Sequence, residues 1–158
     1  MSSNRKLIFS ALIVAIYIVI IYFTQGFSFG VIQVRIANSL YALAYIYPFL
    51  SVPLGIANVI ANLLCGGLGF IDIIGGGIVG CVTAWVVGLI GKKRWNVWLV
   101  IIPIIVIPAC GVSLWLSMIL QMPYLVSFFS LFLGQIPPAL LGVILVKHIN
   151  RLNIFDIK

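Results

Sequence analysis

Between Lys6 and Lys147 the chain carries five charged side chains: Arg35, Asp72, Lys92, Lys93 and Arg94. A water-facing surface cannot be assembled from so few, so the solvent around most of this sequence must be lipid. Of 158 residues, 64% are apolar and 7% charged, where a soluble domain carries about a quarter charged. A stretch of about 20 apolar residues crosses the roughly 30 Å hydrocarbon core of a bilayer. Six such stretches with short loops use nearly the whole length. The expectation is therefore an all-α integral membrane protein of about six transmembrane helices, one membrane domain over residues 1–158, with no room for a soluble one.

Apolar runs and their breakers place the helices. Helix 1 is expected over Leu7–Thr24, retained rather than cleaved, because TQGFSFG offers no small-x-small cleavage site. The polar segment QGFSFGVIQVR follows and is expected to be irregular. Helix 2 runs from Ile36 to Tyr47 and stops at Pro48; helix 3 runs from Pro53 to Leu64, before CGGLG. Both are short for full spans. Glycines and Asp72 predict a second irregular, loop-like segment. Helix 4 is expected over Gly75–Ile90, helix 5 over Val97–Gln121 with kinks at Pro103 and Pro108, and helix 6 over Leu125–Lys147, bent at Pro137–Pro138.

The net charge of +7 does not point to nucleic acid, because the basic residues stand at the ends of apolar runs and report orientation instead. With both termini in the cytoplasm, eight of the nine basic residues fall inside: Arg5, Lys6, Lys92, Lys93, Arg94, Lys147, Arg151 and Lys158. The exception is Arg35, and Asp72 is the one acid outside. Charges near membrane depth are costly and face a cavity or a partner. The expected localisation is thus the cell membrane, multi-pass, with two irregular segments on the outer side.

Catalysis finds no support. His148, the single histidine, reads as an interfacial residue beside Lys147, and the two acids lie on opposite sides of the membrane. No Ser/His/Asp set, HExxH or P-loop is present, so no catalytic residue, metal site or cofactor is expected and any ATP hydrolysis must occur elsewhere. Cys65, Cys81 and Cys110 are scattered singly and read as small packing residues. Polar groups gather on the outer side instead. Gln33 and Arg35 lie in the first outer segment, Asn38 opens helix 2, Asp72 lies in the second segment, and Gln135 sits within helix 6. Asn58 and Asn62 lie one turn apart on helix 3. Two readings compete. The amides bridge helices while Arg35 pairs with Asp72 as a staple, or the groups line a small-molecule pocket. Trp115, Tyr41, Tyr45 and Phe27 are candidate stacking surfaces. Gly76, Gly80, Ala84 and Gly88 form a four-residue stripe that lets another helix approach, read as packing within the bundle.

The segment FGVIQVRIANSL (Phe29–Leu40) resembles the FGxIQxRxSEAL signature of the QueT family. These are substrate-binding S components of energy-coupling factor (ECF) importers, linked to queuosine precursors. The likeness extends through LGIANVIANLLCGGLGFIDIIGG and returns at LGQIPPALLG, covering roughly two thirds of the chain. It implies capture of 7-cyano-7-deazaguanine, 7-aminomethyl-7-deazaguanine or queuine at the outer face. It also implies docking on a membrane coupling subunit (EcfT) with two ATPase subunits. Ala11 and Ala15 match the AxxxA docking contact, and Gln33, Arg35, Asn62 and Asp72 match the family's site pattern. Asn38 and Gln135 stand where the family usually has Glu, which removes two carboxylates that would welcome an amine cation. Another vitamin-like heterocycle as substrate, and a structural membrane subunit without a ligand, are the alternatives.

Overall fold

The structure, a computed structural model, describes residues 2–28, 33–66 and 68–152, apart from the side chains of Phe27 and Leu152. The expected stacking role of Phe27, part of the first outer segment, and Asp156 and Lys158 lie outside the described residues. Helix α1 covers Ser3–Ser28, α2 Ser51–Cys65, α3 Phe70–Lys92, α4 Ile101–Ile119 and α5 Tyr124–Leu152. Three 3₁₀ segments join them: Ile36–Tyr45, Pro48–Leu50 leading into α2, and Val97–Val100 leading into α4. Five spans are long and apolar enough to cross a membrane, and no strand occurs among the described residues. The chain is an all-α, multi-pass membrane protein.

The second helix differs from expectation in kind. It is a ten-residue 3₁₀ helix, Ile36–Tyr45, and its residues Ala37–Ala44 are all buried. Runs of 3₁₀ helix beyond three or four residues are uncommon, and the rise of about 2.0 Å per residue carries ten residues roughly 20 Å, about 5 Å more than an α-helix. That extra reach helps carry the chain from Arg35, which meets Asn62, to Tyr45, which meets Trp95 among the lysines and tryptophans, although the segment is not one of the five long spans. Small side chains let neighbours close on it. A Cβ on Gly142 would lie 2.8 Å from Ala42 Cβ and 2.9 Å from the Ser39 carbonyl, so α5 runs against the 3₁₀ backbone.

The second outer segment is a correction. Asp72 does not lie in a loop: α3 begins at Phe70, five residues earlier than Gly75, and Asp72 occupies its first turn. Its Oδ2 accepts the Leu68 N–H at 3.1 Å. A carboxylate there also complements the free N–H groups at a helix start. Gly66 and Gly69, at φ +122° and +101°, make the reversal that a side chain would resist. The first outer segment is likewise shorter than expected, because α1 stays helical to Ser28. Of the prolines, Pro103 falls in the first turn of α4, where a missing N–H costs nothing; Pro108, Pro137 and Pro138 lie inside their helices.

The two ends of the bundle differ. At one end Lys6 lies 5.7 Å from the Phe49 ring centre, Lys93 4.8 Å from Trp95 and Lys147 4.2 Å from Trp98. The Tyr45 hydroxyl donates to the Trp95 carbonyl at 2.6 Å in the same region. Amphipathic Lys, Tyr and Trp side chains suit a membrane–water boundary. Between the ends, Ile21, Leu50, Leu54, Ile104 and Val143 are fully buried, while Leu7, Ile8, Leu12, Phe23, Trp85 and Ile144 face outward. Apolar residues on the outside are what lipid requires.

Candidate substrate site

Towards the opposite end, every long helix contributes a side chain to one continuous run of buried hydrogen bonds. Trp115 of α4 donates its indole N–H to Asp72 Oδ1 on α3 at 2.8 Å. Asn62 of α2 donates to the Asp72 carbonyl at 3.1 Å and accepts from Arg35 Nη2. Arg35 Nη1 reaches Asn58 Oδ1 at 3.4 Å, and Asn58 Nδ2 donates to the Tyr41 hydroxyl at 2.7 Å. The Tyr41 and Tyr17 hydroxyls are 3.2 Å apart, and Tyr17 of α1 donates to Asn38 Oδ1 at 2.9 Å. Asn38 Nδ2 then donates to Gln135 Oε1 on α5 at 2.8 Å. All nine of these side chains except Trp115 are buried. Unpaired polar groups in hydrocarbon cost several kcal/mol each, so this run is held together by necessity.

Local structure explains the alignment. In a 3₁₀ helix side chains three apart eclipse one another, which sets Asn38 and Tyr41 in a single row that Arg35, the residue before the helix, extends. Asn58 and Asn62, four apart on an α-helix, share a face. The glycine stripe on α3 leaves space for them. A Cβ on Gly76 would stand 2.6 Å from Asn62 Nδ2, and one on Gly80 2.8 Å from the Tyr41 hydroxyl oxygen. The stripe is therefore internal packing, as expected. Gly134 performs the same service for the first outer segment, since a Cβ there would lie 2.4 Å from the Gln33 carbonyl.

A cavity of about 10 Å³ opens along this row, walled by Gln33, Arg35, Asn38, Tyr41, Asn58 and Gln135 on the polar side and by Val79, Pro108, Val112 and Leu131 on the apolar side. That is room for about one water. Of the residues singled out in the sequence, Gln33, Arg35, Asn38, Tyr41, Asn58 and Gln135 are brought together on the cavity wall. Asn62 and Asp72 join the same run but stand behind Arg35. The two charges meet through Asn62, and both Asp72 carboxylate oxygens accept other donors, so the expected Arg35–Asp72 staple is indirect. Trp115 holds Asp72 and packs on Gly75, while Tyr45 lies at the basic end, away from the cavity. Tyr17 escaped the sequence reading. Its signal was a tyrosine in mid-span, where an O–H must find a partner. The wall offers fixed donors and acceptors without a nucleophile and its base, which suits binding rather than bond making.

The model of the family described as QueT transporter matches residues 7–151, nearly the whole chain. The chain belongs to the QueT transporter family. As a QueT-family protein it is a membrane transport protein, and a small molecule is the kind of cargo that its buried amides suit. No curated protein and no solved structure gives a match. Ala11 and Ala15 of this QueT-family chain are exposed on α1, four residues apart and so on one face.

Proposed function

We propose that this chain is the substrate-binding S component of an ECF importer and captures a 7-deazaguanine-type queuosine precursor from the outer side. The observation that carries the reading is the cavity itself: four amides, a phenol and Arg35 converge on one apolar-backed wall, at the end away from the basic residues. A planar heterocycle with donors and acceptors on its edges needs such a wall. Gln33, Arg35, Asn38 and Gln135 contact the ligand, while Asn62 and Asp72 hold Arg35 in place. The positive-inside rule puts the basic end and both termini in the cytoplasm and the cavity end outside. With no nucleotide-binding motif in the chain, ATP hydrolysis belongs to two partner ATPases acting through a coupling subunit, EcfT. The exposed Ala11–Ala15 face of α1 is the contact for that subunit.

A bicyclic ligand is many times larger than the cavity, so binding requires the wall to open. The reading is tested on the purified full chain in detergent with 7-cyano-7-deazaguanine, 7-aminomethyl-7-deazaguanine and queuine. A ligand that binds the folded state raises its stability by RT ln(1 + [L]/Kd). At least one compound is expected to raise Tm in a concentration-dependent way, and Ala11→Trp or Ala15→Trp to retain that shift while losing co-purification with the coupling subunit. If none of the three stabilises the protein and common vitamins do, the alternative substrate class holds. If no heterocycle does, the polar run is a structural device.

A further inference from the structure

A guanidinium has N–H donors and no acceptor, and that single fact orients the whole buried run. Asn58 must turn its oxygen to Arg35, so its NH₂ faces Tyr41. The Tyr41 oxygen accepts that donor, and its own hydrogen is directed to Tyr17. Tyr17 passes its hydrogen to Asn38 Oδ1, and Asn38 places its NH₂ on Gln135 Oε1. The last group in line is the Gln135 NH₂, on the cavity wall, with no hydrogen-bond partner among the described residues. Gln33, on the same wall, also makes no side-chain hydrogen bond among the described residues. Gln33 is 8% exposed and Gln135 1%, so both side chains are buried on the cavity wall.

We propose that this one-way run makes the site selective for an uncharged ligand that presents an acceptor to Gln135, with the Asn38–Gln135 amide pair excluding ligands that carry a cationic arm. The inference rests on the substrate reading above and sharpens it. Among the described residues the cavity wall holds one cation, Arg35, and no carboxylate. Asp72 is off the wall, with Oδ1 bound to the Trp115 indole and Oδ2 to the Leu68 amide. The oxygens of Asn38, Asn58 and Gln135 already accept from their neighbours. An ammonium group would meet a like charge across a low-dielectric gap, with no carboxylate to balance it and Gln33 Oε1 as the one wall amide oxygen that accepts no hydrogen bond among the described residues. A carbonyl, ring nitrogen or nitrile meets the opposite situation, with the Gln135 NH₂ aimed and waiting.

The test uses the full chain in detergent and two 7-deazaguanines that differ in one arm, a neutral nitrile and a protonated aminomethyl group. Titration calorimetry at neutral pH is expected to show the nitrile compound binding at least tenfold more tightly. Gln135→Glu places a carboxylate on the wall and is expected to reverse that preference. Asn38→Asp carries the same expectation at the other member of the pair, should the first variant fail to fold. Equal or tighter binding of the aminomethyl compound to the unsubstituted chain overturns this inference while leaving the substrate reading intact. Binding of neither compound overturns the substrate reading and this inference with it.

Discussion

The hydroxyl of Tyr17 sits midway along α1, where a membrane helix would ordinarily present hydrocarbon, and it links the 3₁₀ row to itself by bridging Tyr41 and Asn38. Tyr17→Phe keeps the ring and removes one oxygen, leaving Asn38 Oδ1 without this donor and the Tyr41 O–H without its acceptor. An orphaned buried group costs about 1–3 kcal/mol. Interhelical hydrogen bonds measured in membranes average about 0.6 kcal/mol, so the loss belongs near the lower end. The expected outcome is a lower Tm by tryptophan fluorescence, with no such loss for Tyr22→Phe, whose ring is exposed. Equal melting of both variants would show the Tyr17 hydroxyl to be spare. At this scale the sequence was informative wherever polarity was conspicuous: Gln33, Arg35, Asn38, Asn58 and Gln135 all reach the cavity wall. It was uninformative about which oxygen meets which hydrogen. Asp72 stood out as a lone outer carboxylate, and only the fold shows its two oxygens accepting from Trp115 and Leu68.

Elements meet here through absent side chains as much as through present ones. The clearest case is α5 against the first outer segment, where Gly134 touches the Gln33 carbonyl and the next residue is Gln135. Gly134→Ala puts a Cβ 2.4 Å from that backbone oxygen, and neither partner is a flexible side-chain end. Overpacking of this kind costs about 1–3 kcal/mol, and the shift falls on two residues of the cavity wall. Reduced Tm together with weakened ligand binding is the expected result. Gly26→Ala is the contrasting substitution, since nothing lies within 4 Å of its added Cβ and alanine is the better helix former by about 0.5–1 kcal/mol. It should melt at or above the parent temperature. If both glycine variants behave alike, close approach of α5 is not what positions Gln33.

For the whole molecule, the polarity of the bundle is the property on which the proposed direction of transport rests. Lysines and tryptophans collect at one end, and the cavity lies towards the other. The proposed orientation is checked at Lys93, in a variant with Cys65, Cys81 and Cys110 replaced by alanine. Lys93→Cys in that background should resist a membrane-impermeant maleimide on intact cells and react fully once the membrane is opened. Efficient labelling from outside would invert the topology and place the cavity towards the cytoplasm.

Hydropathy and charge placement were enough to determine a lipid-embedded all-α chain, the approximate position of each span and the clustering of polar groups on one side. Those properties follow from local composition, because every residue must match the medium at its depth. The 3₁₀ character of Ile36–Tyr45 was not legible, since a short apolar run suits either helix. Glycines of α3 and α5 close on its backbone, contacts that local sequence does not reveal. Nor could the sequence show Asp72 inside a helix turn or Tyr17 as a link in the run. What the Asp72 carboxylate and the Tyr17 hydroxyl meet depends on contacts spanning 43 positions to Trp115 and 21 to Asn38. Distant partners decide where a buried polar atom points, and only the folded bundle brings them together.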